Sequence, residues 1–178
     1  QLSNEASLKY FLLGSLASCI FVYGIALIYV SLSIIGVYEI SFAISIIGPE
    51  NVPLTTFVGL ILIIVGLLFK VAAAPFQAWA PDVYQGSPTG YVGYMATVAK
   101  AASFIVLARL VAVSLTFIID QFDLFFSAVV IMSVLAGALF AANQSDLKRL
   151  IPYRGVIQSG IILSGKSSGV YGISAYTI

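Results

Sequence analysis

The sequence predicts an all-α, polytopic bundle of transmembrane helices, and three observations predict it. Hydrophobic residues make up 61% of the 178 residues, and charged residues make up 8%. The mean hydropathy is +1.09, far above that of soluble domains. Apolar stretches recur near the length of roughly 20 residues at which a helix crosses the hydrocarbon. We therefore expect residues 1–178 to form a single transmembrane domain, as a fragment of a longer protein.

Composition also argues against several classes of function. The net charge is +1, and no basic cluster suited to nucleic acid occurs. The chain has no His, and its one cysteine, Cys19, lies in an apolar run. Metal, haem, iron–sulfur and disulfide sites are therefore not expected, and we expect no cofactor in this chain.

The first part of the chain predicts two spans and a connection. Residues 8–35 are rich in Gly, Ala and Ser, the small residues that let membrane helices pack closely. Residues 36–53 carry Glu39 and Glu50 and end in Gly-Pro and Val-Pro. This pattern predicts an aqueous connection with a short interfacial piece. Residues 54–74 are almost continuous Leu, Ile, Val and Phe, and they predict the second span.

The second span is predicted to break in the region from Lys70 to Pro75. Proline lacks the backbone N–H, and its ring clashes with the preceding turn. Pro81 and the Gly-Ser-Pro-Thr run at 86–89 leave room only for a short helix over about 76–84. Broken helices at membrane depth are tolerated where freed backbone groups face protein or water, and ion pathways are built at such places.

The remaining chain predicts three more spans and the start of another. A basic loop with Lys148, Arg149 and Arg154 precedes the last complete span. If this loop is cytoplasmic, alternation places Lys9 on the same side and the 36–53 connection on the other. The predicted spans are 91–113, 124–142 and 150–163, followed by a segment that starts near Tyr171.

Two lysines that stand alone in apolar sequence are the strongest candidates for function. Lys70 is the one charge in residues 52–81, and Lys100 is the one charge in residues 83–108. A lysine at the centre of a membrane helix costs roughly 2.5 to 3.5 kcal/mol. Desolvation favours a neutral amine and a nearby carboxylate favours the ammonium, so a moving partner charge could load and unload such a lysine. Ion pairing for packing, or snorkelling, is the structural alternative.

A longer motif surrounds the first lysine. Residues 69–89 run Phe-Lys-Val-Ala-Ala-Ala-Pro-Phe-Gln-Ala-Trp-Ala-Pro-Asp-Val-Tyr-Gln-Gly-Ser-Pro-Thr. This run resembles the antiporter-like subunits of respiratory complex I, in the form typical of subunit N of NADH-quinone oxidoreductase, called subunit 2 in mitochondria and plastids. Residues 5–11 and 144–150 resemble the segments that open the sixth and tenth helices of that family. The resemblance implies an antiporter-like fold, from helix six to the start of helix eleven.

The resemblance also implies roles for individual residues. Lys70 matches the lysine at the broken seventh helix, whose charge state is thought to be switched by a glutamate partner, and Lys100 matches the eighth-helix lysine that passes protons onward. Glu5 and Lys9 match a proton entry, although a solvated salt bridge four residues apart is an equal alternative. Three further residues are candidates for the proton path or for structure: Pro75, Gln77 and Asp82.

Several positions depart from the family pattern. Gln77 and Gln158 stand where His is common, and Gly90 replaces a Pro. Glutamine does not titrate, so water or hydroxyls such as those of Ser103 and Tyr94 would have to carry any relay step there. Residues that replace customary small side chains after Lys-Arg-Leu are Pro152, Arg154 and Gly155.

The function implied is proton translocation by a membrane subunit of NADH-quinone oxidoreductase, coupled to quinone reduction elsewhere in the complex. Expected partners are subunits of the L and M type, small membrane subunits, the bilayer, protons and water, with flavin and iron–sulfur clusters in other subunits. The expected location is the inner membrane of a cell, with an organelle membrane as an open alternative. A cation/proton antiporter subunit and a non-conducting scaffold are the other candidate functions.

Overall fold

The computed structural model describes residues 2–165, and all regular secondary structure in that range is helical. The segment from Tyr171, predicted to start another span, lies outside these residues, as does Lys166. Eight α-helices occur in the described range: α1 Leu2–Leu32, α2 Val37–Ile47, α3 Leu54–Lys70, α4 Trp79–Gly86, α5 Thr89–Tyr94, α6 Lys100–Val113, α7 Asp123–Ala142 and α8 Leu147–Ser164. A π-helical turn, Met95–Ala99, joins α5 to α6, and a 3₁₀ turn, Ile119–Phe122, precedes α7.

Three helical stretches of the described chain are long and apolar enough to cross a membrane, and the all-α membrane bundle is confirmed. They are Ser3–Leu32, Thr89–Val113 and Ile119–Ala142. The predicted 54–74 span is a shorter apolar helix that stops at Lys70.

The predicted connection at 36–53 is more ordered than a loop with a short interfacial piece. Eleven of its residues form α2, and two side chains of that helix, Ile40 and Ile44, are buried. The reason lies in the apolar sequence between its two glutamates, which packs α2 against α6.

Two helix pairs, α1 with α3 and α7 with α8, form most of the bundle, and α4 lies against both α1 and α8. Gly24 and Gly59 bring the first pair into backbone contact. A Cβ added at Gly24 would lie 2.7 Å from Gly59 O, and a Cβ at Gly59 would lie 2.8 Å from Gly24 O. The packing predicted from small residues is therefore found where α1 crosses α3.

The bundle has two polar ends. At one end Lys9 of α1, Asp82 of α4 and Arg149 of α8 are joined by ion pairs. At the other end Arg109 lies over the Tyr38 ring, 5.5 Å from its centroid. The predicted basic loop is instead part of α8, which contains Lys148, Arg149 and Arg154. Lys9 lies at the same end of the bundle as Arg149, as predicted.

Candidate functional site

The break between α3 and α4 begins earlier than its proline. Helix α3 ends at Lys70, and Ala72 takes a left-handed backbone conformation with φ of 56° although it is fully buried. In a continuous helix the carbonyl of Val71 would accept from the N–H of residue 75, but Pro75 has no N–H and its ring would clash with that carbonyl. The helix therefore ends before Val71, and regular structure resumes at Trp79.

Side chains from three helices form hydrogen bonds with backbone groups at the break. The Ser159 hydroxyl donates to Val71 O at 3.1 Å, and the Ala74 N–H donates to Ser133 Oγ at 3.0 Å. Both serines are fully buried. Trp79 Nε1 donates to a third group, Phe69 O, at 3.2 Å. We call Ser133, Ser159 and Trp79 the break clamp; it meets the requirement that backbone groups away from water be paired.

The aromatic residues of the motif pack in the core. Trp79 stacks on Phe69 with ring centroids 5.4 Å apart and lies 5.5 Å from the Tyr10 ring. Trp79 and Tyr84 are both buried, at 5% and 1% exposure. These two aromatic side chains therefore serve the packing of the core.

Lys100 occupies a different kind of irregularity. It is the first residue of α6 and follows the π-helical turn directly, a feature frequent at functional sites. Its exposure is 9%, so it is buried among the described residues. Its Nζ lies against Gly155 of α8, where any Cβ would collide with it.

A cavity of about 340 Å³ opens beside Lys100. Its lining includes Thr97 and Gln158 together with Gly155 and Ser159. Ser159 is the residue that this cavity shares with the break clamp. The structure thus places the Lys100 cavity next to the break that starts at Lys70.

Lys70 and Lys100 differ in burial. Lys70 ends α3, and its side chain is exposed among the described residues, whereas Lys100 is buried. Sequence reasoning treated the two lysines alike because both lie in apolar stretches. The difference lies in packing, since Leu68 and Phe69 in the same turn of α3 are buried while the Lys70 side chain is not.

Glu5, Lys9 and Asp82 lie in one polar cluster at the bundle end. Lys9 Nζ lies 2.7 Å from Glu5 Oε1 and 2.7 Å from Asp82 Oδ2, and Arg149 Nη2 lies 2.5 Å from Asp82 Oδ1. The hydrogen bond from Lys9 holds the pKa of the Asp82 carboxyl below its ordinary value. The cluster joins α1, α4 and α8, and Arg149, which was predicted in a basic loop, lies in the first turn of α8 as an ion-pair partner.

The polar residues suggested as relay groups are not equally placed. Gln77 has a buried Oε1 with no hydrogen-bond partner among the described residues, and Gln158 lines the Lys100 cavity. Ser103 Oγ donates to Ala99 O of its own helical segment at 2.8 Å, and the Tyr94 ring is exposed. Neither hydroxyl lines the cavity beside Lys100.

Sequence reasoning missed the two serines of the break clamp. Neither Ser133 nor Ser159 belongs to a motif, and small residues in membrane helices most often serve packing. A signal did exist: Pro75 implies that Val71 O needs a donor from another segment.

The similarity to known proteins extends over the whole chain. The family model for the transmembrane segment of NADH:quinone oxidoreductase and Mrp antiporter subunits matches residues 1–178. The chain belongs to this family. The resemblance drawn from residues 69–89 is confirmed.

Individual relatives are similar over most of the chain. Subunit N of NADH-quinone oxidoreductase from Mycobacterium bovis is 42% identical over 164 residues, covering 92% of this chain and 30% of the relative. The chloroplastic NAD(P)H-quinone oxidoreductase subunit 2 of Mesostigma viride is 40% identical over 169 residues, 94% of this chain and 33% of the relative. The chain therefore spans about a third of the length of these relatives.

A solved structure supports the same assignment. A chain of respiratory complex I from Thermus thermophilus superposes with a TM-score of 0.77 at 36% sequence identity. The match covers 97% of this chain and 37% of that chain.

Proposed function

We propose that this segment carries protons across the membrane within a membrane-arm subunit of an NADH-quinone oxidoreductase, of the subunit N (subunit 2) type. The observation that carries the proposal is the Lys100 amine, buried beside a cavity that reaches the break beginning at Lys70. Family membership and the identity to subunit N relatives support the assignment to this complex.

A buried amine suits reversible proton binding. Removing an ammonium from water favours its neutral form, and a charge that approaches restores the cation. Lysine is the cationic side chain whose proton affinity responds most readily to burial, whereas arginine stays charged. Lys100 forms no salt bridge with a carboxylate among the described residues, so its charge would respond to groups brought near it during turnover.

Within this proposal the two lysines act in sequence. Lys70, exposed at the start of the break, meets a partner charge outside the described residues, and Lys100 accepts and passes on the proton through its cavity. Glu5, Lys9 and Asp82 form either the proton entry or a structural tie, and Pro75 and Gln77 shape the break. Quinone reduction, with its flavin and iron–sulfur clusters, takes place in partner subunits, in a cell inner membrane or an organelle membrane.

The test uses the full complex in sealed membrane vesicles. Proton uptake and quinone reduction are measured for Lys100→Ala and Lys70→Ala, with Lys148→Ala as the matched lysine control at the bundle end. We expect Lys100→Ala and Lys70→Ala both to assemble and to lower proton uptake by roughly a hundredfold or more, the scale of a positioned proton-transfer group. Normal proton uptake per electron in both variants would refute the proposal and favour a non-conducting scaffold.

An antiporter subunit is the second candidate, because the family model covers both complex I and Mrp antiporter subunits. The Asp82-Val83-Tyr84 spelling argues against it by resemblance to subunit N. Sodium-driven proton flux in vesicles that hold this subunit without the rest of complex I would favour the antiporter.

A further inference from the structure

We propose that Gly155 and Ser159 position the Lys100 amine and connect it to the helix break, an inference that rests on the proposed function. The two residues are four apart on α8 and so lie on one face of the helix. We call them the α8 seat. They are positioning residues, because they act through the Lys100 amine.

Gly155 makes room for the amine. Lys100 Nζ occupies the place that a side chain at position 155 would fill. Because the obstructing atom is the end of a flexible side chain, a Cβ there would displace the amine and leave the backbone of α8 in place. The absence of a side chain at this position therefore sets how close the charge lies to α8.

Ser159 makes the connection to the break. Its Oγ lies 3.1 Å from Val71 O and 2.8 Å from Gly155 O, and it has one proton to donate between them. A hydroxyl oxygen can also accept a hydrogen bond. A Ser159 that donates to Val71 O and accepts from the cavity side therefore joins the break and the Lys100 cavity in one hydrogen-bonded chain.

Ser133 provides a matched comparison. It is as fully buried as Ser159 and also bonds the break, by accepting from the Ala74 N–H. Unlike Ser159, it does not line the cavity beside Lys100. A purely structural role predicts similar effects from the two serines, whereas a role in positioning Lys100 predicts that Ser159 differs.

The experiment measures proton uptake per assembled full complex in sealed vesicles. We expect Ser159→Ala to lower the rate roughly tenfold, less than loss of a group that transfers the proton itself, and Ser159→Thr to restore part of it. Ser133→Ala should lower the rate less than Ser159→Ala does, because Ser133 does not line the cavity beside Lys100. Gly155→Ala should behave as Ser159→Ala does, with Gly93→Ala as its control, because a Cβ at Gly93 meets open space.

A double substitution separates this inference from the function on which it rests. In a Lys100→Ala background, Ser159→Ala and Gly155→Ala should cause no further loss, because residues that act as a unit are not additive. Equal losses from Ser159→Ala and Ser133→Ala, or further loss in the Lys100→Ala background, would overturn the positioning role and leave the proposed function standing. Normal pumping by Lys100→Ala itself would overturn both.

Discussion

Two helical segments of this protein are interrupted beside a lysine, and their backbones are satisfied in different ways. At the break after Lys70, a proline removes a donor, and the serines of α7 and α8 bond the backbone groups left without partners. At the π-helical turn before Lys100, the helix keeps hydrogen bonds of its own, because a π turn only lengthens the bonded ring. The first interruption depends on its neighbours, and the second does not.

The difference explains what each interruption can do. A break held by α7 and α8 ties the position of Lys70 to the packing of those helices. A π turn adds one residue to a helix, which rotates the following residues by about 100° without loss of bonding. It can therefore aim Lys100 at α8 while the rest of α6 packs on α3.

The largest effect on stability is expected from removing both serines that hold the break. Ser133→Ala leaves the Ala74 N–H without its partner, and Ser159→Ala does the same to Val71 O. A buried orphan costs about 1 to 3 kcal/mol, so the double variant should lose about 2 to 6 kcal/mol of unfolding free energy. The measurement is unfolding of the full-length subunit in mixed micelles.

The control for that experiment is Ser103→Ala, whose hydroxyl bonds its own helical segment. It should change the unfolding free energy by no more than about 0.5 kcal/mol. If the double variant were as stable as this control, the break would not depend on α7 and α8, and the contrast with the π turn would fail.

The next substitution is expected to raise the unfolding free energy instead of lowering it. Lys100→Met keeps the length of the side chain and removes an amine that is buried and forms no salt bridge among the described residues. We expect it to raise the unfolding free energy by up to about 2.5 to 3.5 kcal/mol while proton uptake is lost. Lys70→Met should bring no such gain in stability, because Lys70 is exposed among the described residues and is proposed to meet a partner charge beyond them.

Unfolding in mixed micelles, applied to both methionine variants, measures the difference in their unfolding free energies. A stability gain in Lys100→Met together with lost pumping would mean that the lysine is kept for function at a cost in stability. Equal changes at the two positions would show that their environments in the full subunit are alike, contrary to the contrast described here.

The sequence predicted much of the fold because the constraints are strong and local. Hydropathy predicts the spans, Pro75 predicts the break, and solitary charges predict Lys70 and Lys100. Three features could not be read in this way: the π-helical turn, the helix at Val37–Ile47 and the burial of one lysine alone. Each depends on which neighbour packs where, and periodicity along one segment carries no such information.

The serines of the break clamp could not be predicted from the sequence for the same reason. Ser159 is recognisable only when α8 is placed against the break, since its partners are Val71 O from a distant segment and a cavity lined by α6. Proline predicted that a donor was needed. Only the packing of helices could identify which side chain supplied it.

A smaller effect is expected at the third member of the break clamp. Trp79→Phe keeps an aromatic ring and removes the Nε1 donor to Phe69 O. That carbonyl also accepts from the Ala72 N–H at 3.0 Å, so it is not orphaned. We expect a loss of about 0.5 to 1.5 kcal/mol in unfolding free energy, the range for one net hydrogen bond.

Tyr84→Phe is the matched control, because the Tyr84 hydroxyl is buried without a hydrogen-bond partner among the described residues. Its removal should be neutral or stabilising. A loss in Trp79→Phe as large as in Ser159→Ala would indicate that the clamp acts through the ring packing of Trp79 instead of through its hydrogen bond.

The smallest effect is expected where the far half of the broken helix is tied to the bundle end. The Lys9 hydrogen bond lowers the pKa of Asp82 below 3.8, so the ion pairs stabilise the fold above that pH, and their contribution is lost as pH falls through the lowered value. Asp82 is about a third exposed, so Asp82→Asn should cost no more than about 1 kcal/mol at pH 7. It should also flatten the loss of stability between pH 5 and acid, roughly the range in which carboxylates titrate. If the unfolding free energy of Asp82→Asn and of the unsubstituted subunit fell in parallel with pH, the ion pairs of Asp82 would add no stability beyond that from the hydrogen bonds of α7 and α8 to the break.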